Sequence, residues 1–261
     1  MKNTVLAILF IVLAGCGNSS GLAGRLGRKT GSNKVLSGAE KKILATTTVY
    51  YIETFTEAEA NQCDENLKVN ILDRKDQVFT RACKKVSDSC AMEGTCRVWV
   101  KNKMLMLSYD GVFQNTRRFR NITNATQDCK YGYGASIDSI ASYKAMCVDP
   151  FFSVAADLSI YHLGDVIYLP SVQGIVLPTG EIHDGYFIVR DTGGAIDGEG
   201  RFDFFTGFFT MKNLRDSFVK LKLNDEQSFP NYFLIDGDQA ERIRKQRNFP
   251  LLPKIELAKN H

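Results

Sequence analysis

Tyr186-Phe-Ile-Val-Arg-Asp191-Thr-Gly-Gly-Ala-Ile-Asp-Gly-Glu-Gly-Arg-Phe-Asp203-Phe-Phe205 decides the fold. Runs rich in Phe, Ile and Val predict strands on either side, and Gly193, Gly194, Gly198 and Gly200 supply the backbone freedom that a tight connection needs. Asp191 and Asp203, twelve residues apart, sit one on each strand. Upstream, Val154-Ala-Ala-Asp157-Leu-Ser-Ile-Tyr-His-Leu-Gly164-Asp-Val-Ile-Tyr-Leu-Pro170 adds a third aspartate and a Leu-Gly turn leading into another strand. Three carboxylates can then converge on one site.

These blocks resemble the 3D (three-aspartate) domain shared by membrane-bound lytic transglycosylase A and related cell-wall enzymes. The matching residues are Ala155-Ala156-Asp157, Leu163-Gly164, Asp191-Thr192-Gly193-Gly194-Ala195-Ile196 and Phe202-Asp203. A weaker echo lies at Thr46-Thr47-Thr48-Val49-Tyr50-Tyr51, where such barrels begin. The resemblance covers roughly 153–207, and as spaced blocks it is more specific than any one alone. Composition and pattern give only a mainly β chain with a few helices. The resemblance implies a six-stranded double-psi β-barrel, a closed structure without exposed edges.

At the N-terminus, Lys2 precedes an unbroken apolar run from Val5 to Ala14, too short to span a bilayer as a mature helix. It reads as a secretory signal over residues 1–15. Leu13-Ala14-Gly15-Cys16 resembles the bacterial lipobox, so cleavage before Cys16 and lipidation of its thiol are expected. Gly17 stands where an aspartate would favour inner-membrane retention, which directs the expectation to the periplasmic face of an outer membrane. Of seven cysteines, six remain after Cys16: Cys63, Cys83, Cys90, Cys96, Cys129 and Cys147. An even number in an exported chain predicts disulfides, with fifteen pairings open. His162, His183 and His261 lack metal-ligand spacing and no Cys-x-x-Cys occurs, so neither a metal nor a cofactor is expected. Removing Lys2 with the signal takes the formal charge from +4 to +3, too mild to predict a nucleic-acid partner.

Residues 16–42, rich in Gly, Ser, Asn and basic side chains, read as a flexible tether, and the folded domain is expected over 43–261. Ile43-Leu-Ala-Thr-Thr-Thr-Val-Tyr-Tyr-Ile52 predicts a first strand. Residues 57–147 hold all six remaining cysteines and read as a disulfide-stapled elaboration, with strands at Cys96–Lys101 and Met104–Tyr109 and a turn at Asp110-Gly111. Asn121-Ile-Thr and Asn124-Ala-Thr match glycosylation acceptors that a bacterial lipoprotein would not use. A helical tail is expected over 213–261: one helix around Asn213–Leu221, and a second starting at Asp238 with Glu241 at capping-box spacing and ending before Pro250. Its Arg242, Arg244, Lys245 and Arg247 read as a solvated face.

The resemblance implies cleavage of the MurNAc-GlcNAc β-1,4 bond of peptidoglycan, with the C6 hydroxyl of MurNAc attacking its own C1 to form a 1,6-anhydro ring. No water need be positioned, so a single acid/base suffices, and the tethered nucleophile gains from proximity. An ordinary aspartate, with pKa ~3.9, is protonated in only about one molecule in a thousand at pH 7, so the acid must be shifted upward. A neighbouring carboxylate and burial against aromatic rings are the available causes. The family pattern places the acid at Asp203, with Asp191 orienting it and supplying like charge and Asp157 supporting the site. Asp191 also has an ordinary turn reading, as acceptor of backbone N–H groups from the glycines after it. In a regular strand Phe205 shares the Asp203 face, as would Arg201, which the glycine turn is expected to direct elsewhere. Thr47, Thr48, Tyr50, Gly193 and Gly194 are candidate substrate contacts, and Trp99, Tyr131 and Tyr133 candidate stacking surfaces. Glu181, Asp184, Asp197 and Glu199 read as solvated turn charges.

Two other functions fit parts of the pattern. Asp191-Thr192-Gly193 matches the aspartic protease signature, but only one such loop occurs, and that fold leaves Asp203 and the Asp157 block unexplained. A non-catalytic peptidoglycan-binding lipoprotein on the same barrel is the stronger alternative, since fold alone does not establish activity. In either case the expected partners are glycan strands and, through Cys16, a membrane, with the protein a monomer.

Overall fold

The alternation of Phe202, Phe204 and Phe205 around Asp203 makes a strand with two buried faces, and the sheet is built around it. The computed structural model describes residues 39–45, 47–73, 75–123, 129–136, 145–208 and 231–253. Cys16, Asn124 and the helix expected around Asn213–Leu221 lie outside them. The site-bearing strands are β1 (Lys41–Ile43), β2 (Thr48–Phe55), β10 (Ser153–Ala156), β11 (Val166–Tyr168), β12 (Tyr186–Asp191), β13 (Phe202–Phe208) and β14 (Asn231–Ile235). The intervening segment contributes α1 (Glu57–Asn61), β3 (Lys68–Leu72), β4 (Val78–Cys83), α2 (Lys84–Met92), β5 (Thr95–Val100), β6 (Lys103–Phe113), β7 (Thr116–Asn121), β8 (Tyr133–Ser136) and β9 (Ala145–Cys147). A final helix, α3, spans Gly237–Gln246.

Twelve strands form one mixed sheet in the order β1-β14-β11-β12-β10-β13-β2-β5-β6-β7-β3-β4, and β8 pairs with β9 alone. The chain is thus mainly β with three helices among the described residues, but its pairings do not close into a six-stranded barrel. The reason is β2: it pairs in parallel with β13 on one side and with β5 on the other. The cysteine-rich segment therefore extends the sheet instead of capping it. The single first strand expected over Ile43–Ile52 is two, with β1 pairing to β14 from Lys41.

Two interruptions of register fix which side chains face the site. Val154 pairs with Val189, but Ala155 pairs with Asp191, leaving Arg190 as an extra residue. That bulge turns Asp191 from the Phe187/Val189 face onto the Ala155 face, because a one-residue slip exchanges the faces of a strand. In β13, Phe205 pairs with Tyr50 and Phe208 with Ile52, so Thr206-Gly207 carries one extra residue and Phe208 returns to the Phe205 face. Behind the sheet, Phe187, Val189, Phe202, Phe204, Val154 and Tyr232 share one core. On the site face, Phe205, Ile52, Met106 and Val148 form another, flanked by Tyr50, Tyr131 and Phe208.

The elaboration has its own core around Val86, Cys90, Cys96, Val98, Leu107 and Phe119. Its cysteines pair as Cys63–Cys83, Cys90–Cys96 and Cys129–Cys147. Asp110-Gly111 is a bulge inside β6, not the expected turn. The hairpins instead reverse at Lys101-Asn102 and Gln114-Asn115, all four residues with positive φ, as two-residue turns of this twist require. In α3 the N-cap is Asp236 and its side chain makes no cap bond, so the expected box from Asp238 to Glu241 does not form. Nor is the basic tail simply solvated: Arg247 is buried, stacks over Phe152 at 3.1 Å and contacts Glu181 and Asp184, while Arg244 donates to the Gly164 carbonyl.

Candidate active site

Ala155 is the hinge of the site. It pairs with Asp191 on one side and Asp203 on the other, and Asp203 pairs onward with Thr48. Paired residues point to the same face of a sheet, so Asp191, Asp203 and Thr48 stand in one row across four strands. The structure thereby brings Asp191 and Asp203 together on one surface.

Their surroundings differ. Both Asp191 oxygens are engaged: Oδ2 accepts from the Tyr50 hydroxyl at 2.9 Å, and Oδ1 accepts from the Thr192 N–H at 2.9 Å. Burial pushes Asp191 up to about 6 against those two bonds, and the charge of Asp203 adds to the rise. Asp203 is also raised by burial, opposed by a hydroxyl bond from Thr48, the Arg201 charge and the Phe204 N–H. Its Oδ1 is sheltered from solvent and has no hydrogen-bond partner. Burial is the leading cause at both carboxyls, and the repulsion between Asp191 and Asp203, which is mutual, adds to it by disfavouring the state in which both are ionised. Arg201 is not turned away either, since it donates to Thr48 Oγ1 at 3.1 Å and acts on Asp203.

Asp157 lies outside the row. Its Oδ2 accepts from the Gly198 N–H at 2.9 Å and its Oδ1 from the Ser159 N–H and hydroxyl. These bonds, that from Gly198 first, hold its pKa down to about 2. Asp157 thus clamps the glycine connection between the two site strands. The same connection is held by Gly200, whose N–H donates to the Tyr161 hydroxyl and whose carbonyl accepts from Ala45, and by a Glu199–Lys42 ion pair. At Gly200, φ is +73° and an added Cβ would lie 2.6 Å from the Ile43 carbonyl, so only glycine fits.

Among the other candidates, Thr48 is exposed beside Asp203, Tyr50 is committed to Asp191, and Gly193 and Gly194 lie exposed in the turn. Thr47 is fully buried, which removes it from any substrate surface. Tyr131 meets Phe205 edge-on and Phe208 at a tilt, and Trp99 is exposed on β5. Glu181 and Asp184 face Arg247, so they are not the free solvated charges expected.

Sequence reasoning missed two groups. Arg190 is fully buried, and its guanidinium donates to the carbonyls of Cys147, Pro250, Leu251 and Arg247. It ties the C-terminal segment and the Cys129–Cys147 loop to the strand bearing Asp191. An arginine inside Phe-Ile-Val-Arg-Asp was the available signal, since a buried guanidinium needs several acceptors. Glu93, at the C-cap of α2, is the second. It is pushed up to about 7, first by burial, then by the charges of Glu53 and Asp203. No local pattern marks it; only the β2–β5 pairing brings it to the site.

A family model, the 3D domain, matches residues 152–213. No curated protein matches the chain by sequence. Among solved structures, it is similar to Escherichia coli MltA with bound chitohexaose, at 12% identity and a TM-score of 0.43, covering 72% of this chain and 70% of that one. It is also similar to a membrane-bound lytic murein transglycosylase from Agrobacterium tumefaciens, at 13% identity and 0.42, covering 80% and 79%. A third is the lytic transglycosylase LtgG of Burkholderia pseudomallei, at 15% identity and 0.32, covering 74% and 71%. The matched stretch is the one that carries Asp157, Asp191 and Asp203, so residues 152–213 are similar to the 3D domain.

Proposed function

We propose that the protein is a peptidoglycan lytic transglycosylase in which Asp203 acts as acid and then base. The observation that carries this reading is the Asp203 Oδ1, buried and without a hydrogen-bond partner in a row with Asp191. A buried carboxylate oxygen without a donor favours the neutral acid, whose proton is then available to a glycosidic oxygen. Asp191 cannot serve equally, because Tyr50 and Thr192 occupy both its oxygens; it orients the row. After protonating the leaving oxygen, the Asp203 carboxylate takes the proton of the MurNAc C6 hydroxyl as that oxygen bonds to C1. Proton and electron pairs balance without water, and the products are a glycan end and a 1,6-anhydro-MurNAc end. Asp157 acts at a distance, by holding the turn that sets the two strands.

Export, lipidation at Cys16 and residence on the periplasmic face of an outer membrane belong to the same proposal and rest on the N-terminal sequence. The test uses purified peptidoglycan and the protein lacking residues 1–16, with products separated by mass spectrometry. Anhydro-muropeptides are expected. New reducing ends would make it a hydrolase, and sedimentation with the wall without products would make it a binding lipoprotein.

A further inference from the structure

The site face carries acids at one end and cations at the other. Starting from Asp203 and Thr48, the face continues along β2 through Tyr50 and Ile52 to Thr54, which pairs with Arg97 on β5. Six residues of strand place Arg97 about 20 Å along β2 from the Asp203 row. There the Arg97 guanidinium lies 3.5 Å from the centroid of the Phe208 ring, and its Nε donates to Thr54 Oγ1 at 2.8 Å. Phe208 stacks in turn on Tyr131, over which the Lys130 ammonium stands at 5.2 Å. Arg97, Phe208 and Tyr131 are partly exposed and Lys130 is exposed.

Arg97 differs from most arginines of the described residues in how its charge is answered; Arg201 and Arg242 also lack an ion pair, but Arg201 donates to Thr48 and the Phe202 carbonyl and Arg242 is exposed. Arg81, Arg117, Arg118, Arg120, Arg244 and Arg247 face carboxylates, and Arg190 faces four carbonyls. Among the described residues Arg97 has neither. Its plane is fixed by the ring beneath it and its inner nitrogen by Thr54, which leaves the two terminal NH₂ groups as an oriented fork. A pre-set fork of that kind matches a carboxylate in a bidentate manner. Burial also costs the charged form, and among the described residues no acid offsets that cost, so an incoming anion is rewarded.

We propose that Arg97, with Lys130 across the Phe208–Tyr131 stack, forms a subsite that reads a carboxylate on the glycan while the aromatic rings support a sugar face. This rests on the proposed glycan substrate. Two sources offer that chemistry: the lactyl carboxylate of a muramyl residue freed of its peptide, and the carboxylates of a peptide stem.

The test measures dissociation constants by calorimetry for the protein lacking residues 1–16, in the Asp203→Asn background so that the glycan is not consumed. The probes are chitohexaose, which is neutral, glycan strands stripped of stems by an amidase, and strands bearing stems. Arg97→Gln is expected to leave chitohexaose binding unchanged and to weaken carboxylate-bearing strands roughly tenfold, with Arg97→Lys intermediate. Weakening on the stripped strands alone assigns the lactyl carboxylate, on the stem-bearing strands alone the stem, and on both a fork that accepts either carboxylate. Equal weakening on chitohexaose, or none on any probe, overturns the subsite. As a check independent of folding in the variants, added NaCl should weaken the parent protein's binding to the acidic probes and spare chitohexaose. Glycan binding without anhydro products from the protein carrying Asp203 would sink the lytic reading and leave the subsite standing; a protein that bound no glycan would sink both.

Discussion

The part of the sheet that carries the three aspartates and the part built by residues 57–123 are held by different forces. The first relies on buried aromatic packing: Phe187, Phe202, Phe204 and Tyr232 interlock behind the site strands, with Phe204 edge-on to Phe187 at 5.0 Å. The second has a smaller core crossed by Cys63–Cys83 and Cys90–Cys96, with tight hairpins carrying much of its strand pairing. One is specified by packing around a fixed site, the other by local closure. Yet β2 joins them in a single sheet, so the elaboration delivers Glu93 and Arg97 to the face that the aspartates define.

If this division is right, the largest loss of stability follows from opening the aromatic core. Phe204→Ala should cost ~3–5 kcal/mol, read as a fall in chemical denaturation midpoint, with hydrogen exchange rising first in β10, β12 and β13. A loss spread evenly into residues 57–123 would erase the contrast. Replacing Cys63 and Cys83 together with Ser should cost roughly 3 kcal/mol for a loop of this size, with exchange rising in α1, β3 and β4 while β12 and β13 stay protected. Early exchange at the site strands would mean that the staple serves the aspartates directly.

Much of the first part was legible in the sequence. The strand–glycine–strand stretch gave β12, β13 and their connection because apolar runs and glycines act locally. What escaped was register. Nothing in Val189-Arg190-Asp191 announces that Arg190 is the extra residue, and without that slip Asp191 would face the other core. Asp110-Gly111 reads as a turn by local preference, but the longer register of β6 with β7 absorbs it as a bulge. The same limit explains Glu93 and Arg97. Their place follows from a parallel pairing between strands some forty residues apart, Glu53 with Cys96 and Thr54 with Arg97, which no periodicity encodes. Closure into a barrel was inferred from likeness to a family, and the pairings of the described strands form an open order instead.

The smallest expected effect sharpens the comparison at the seam. Glu93 is held near 7 in the folded protein against an ordinary 4.5, so the folded state keeps a proton that the unfolded chain releases. Its contribution to stability is complete below about pH 4.5 and is lost as pH rises through 7. Glu93→Gln should therefore gain on the parent protein across that window and hold a constant advantage above it, measured as urea midpoints at successive pH values. A pH-independent difference would place Glu93 in open solvent, out of reach of Asp203.

The central claim concerns one proton on Asp203, and Asp203→Asn tests it most directly, assayed as anhydro-muropeptide release from purified peptidoglycan alongside the melting temperature. The account predicts a fall in rate of ~10²–10⁴-fold or more with melting and glycan binding retained, since the amide keeps the shape but cannot carry the proton. Full activity in that folded variant would contradict it.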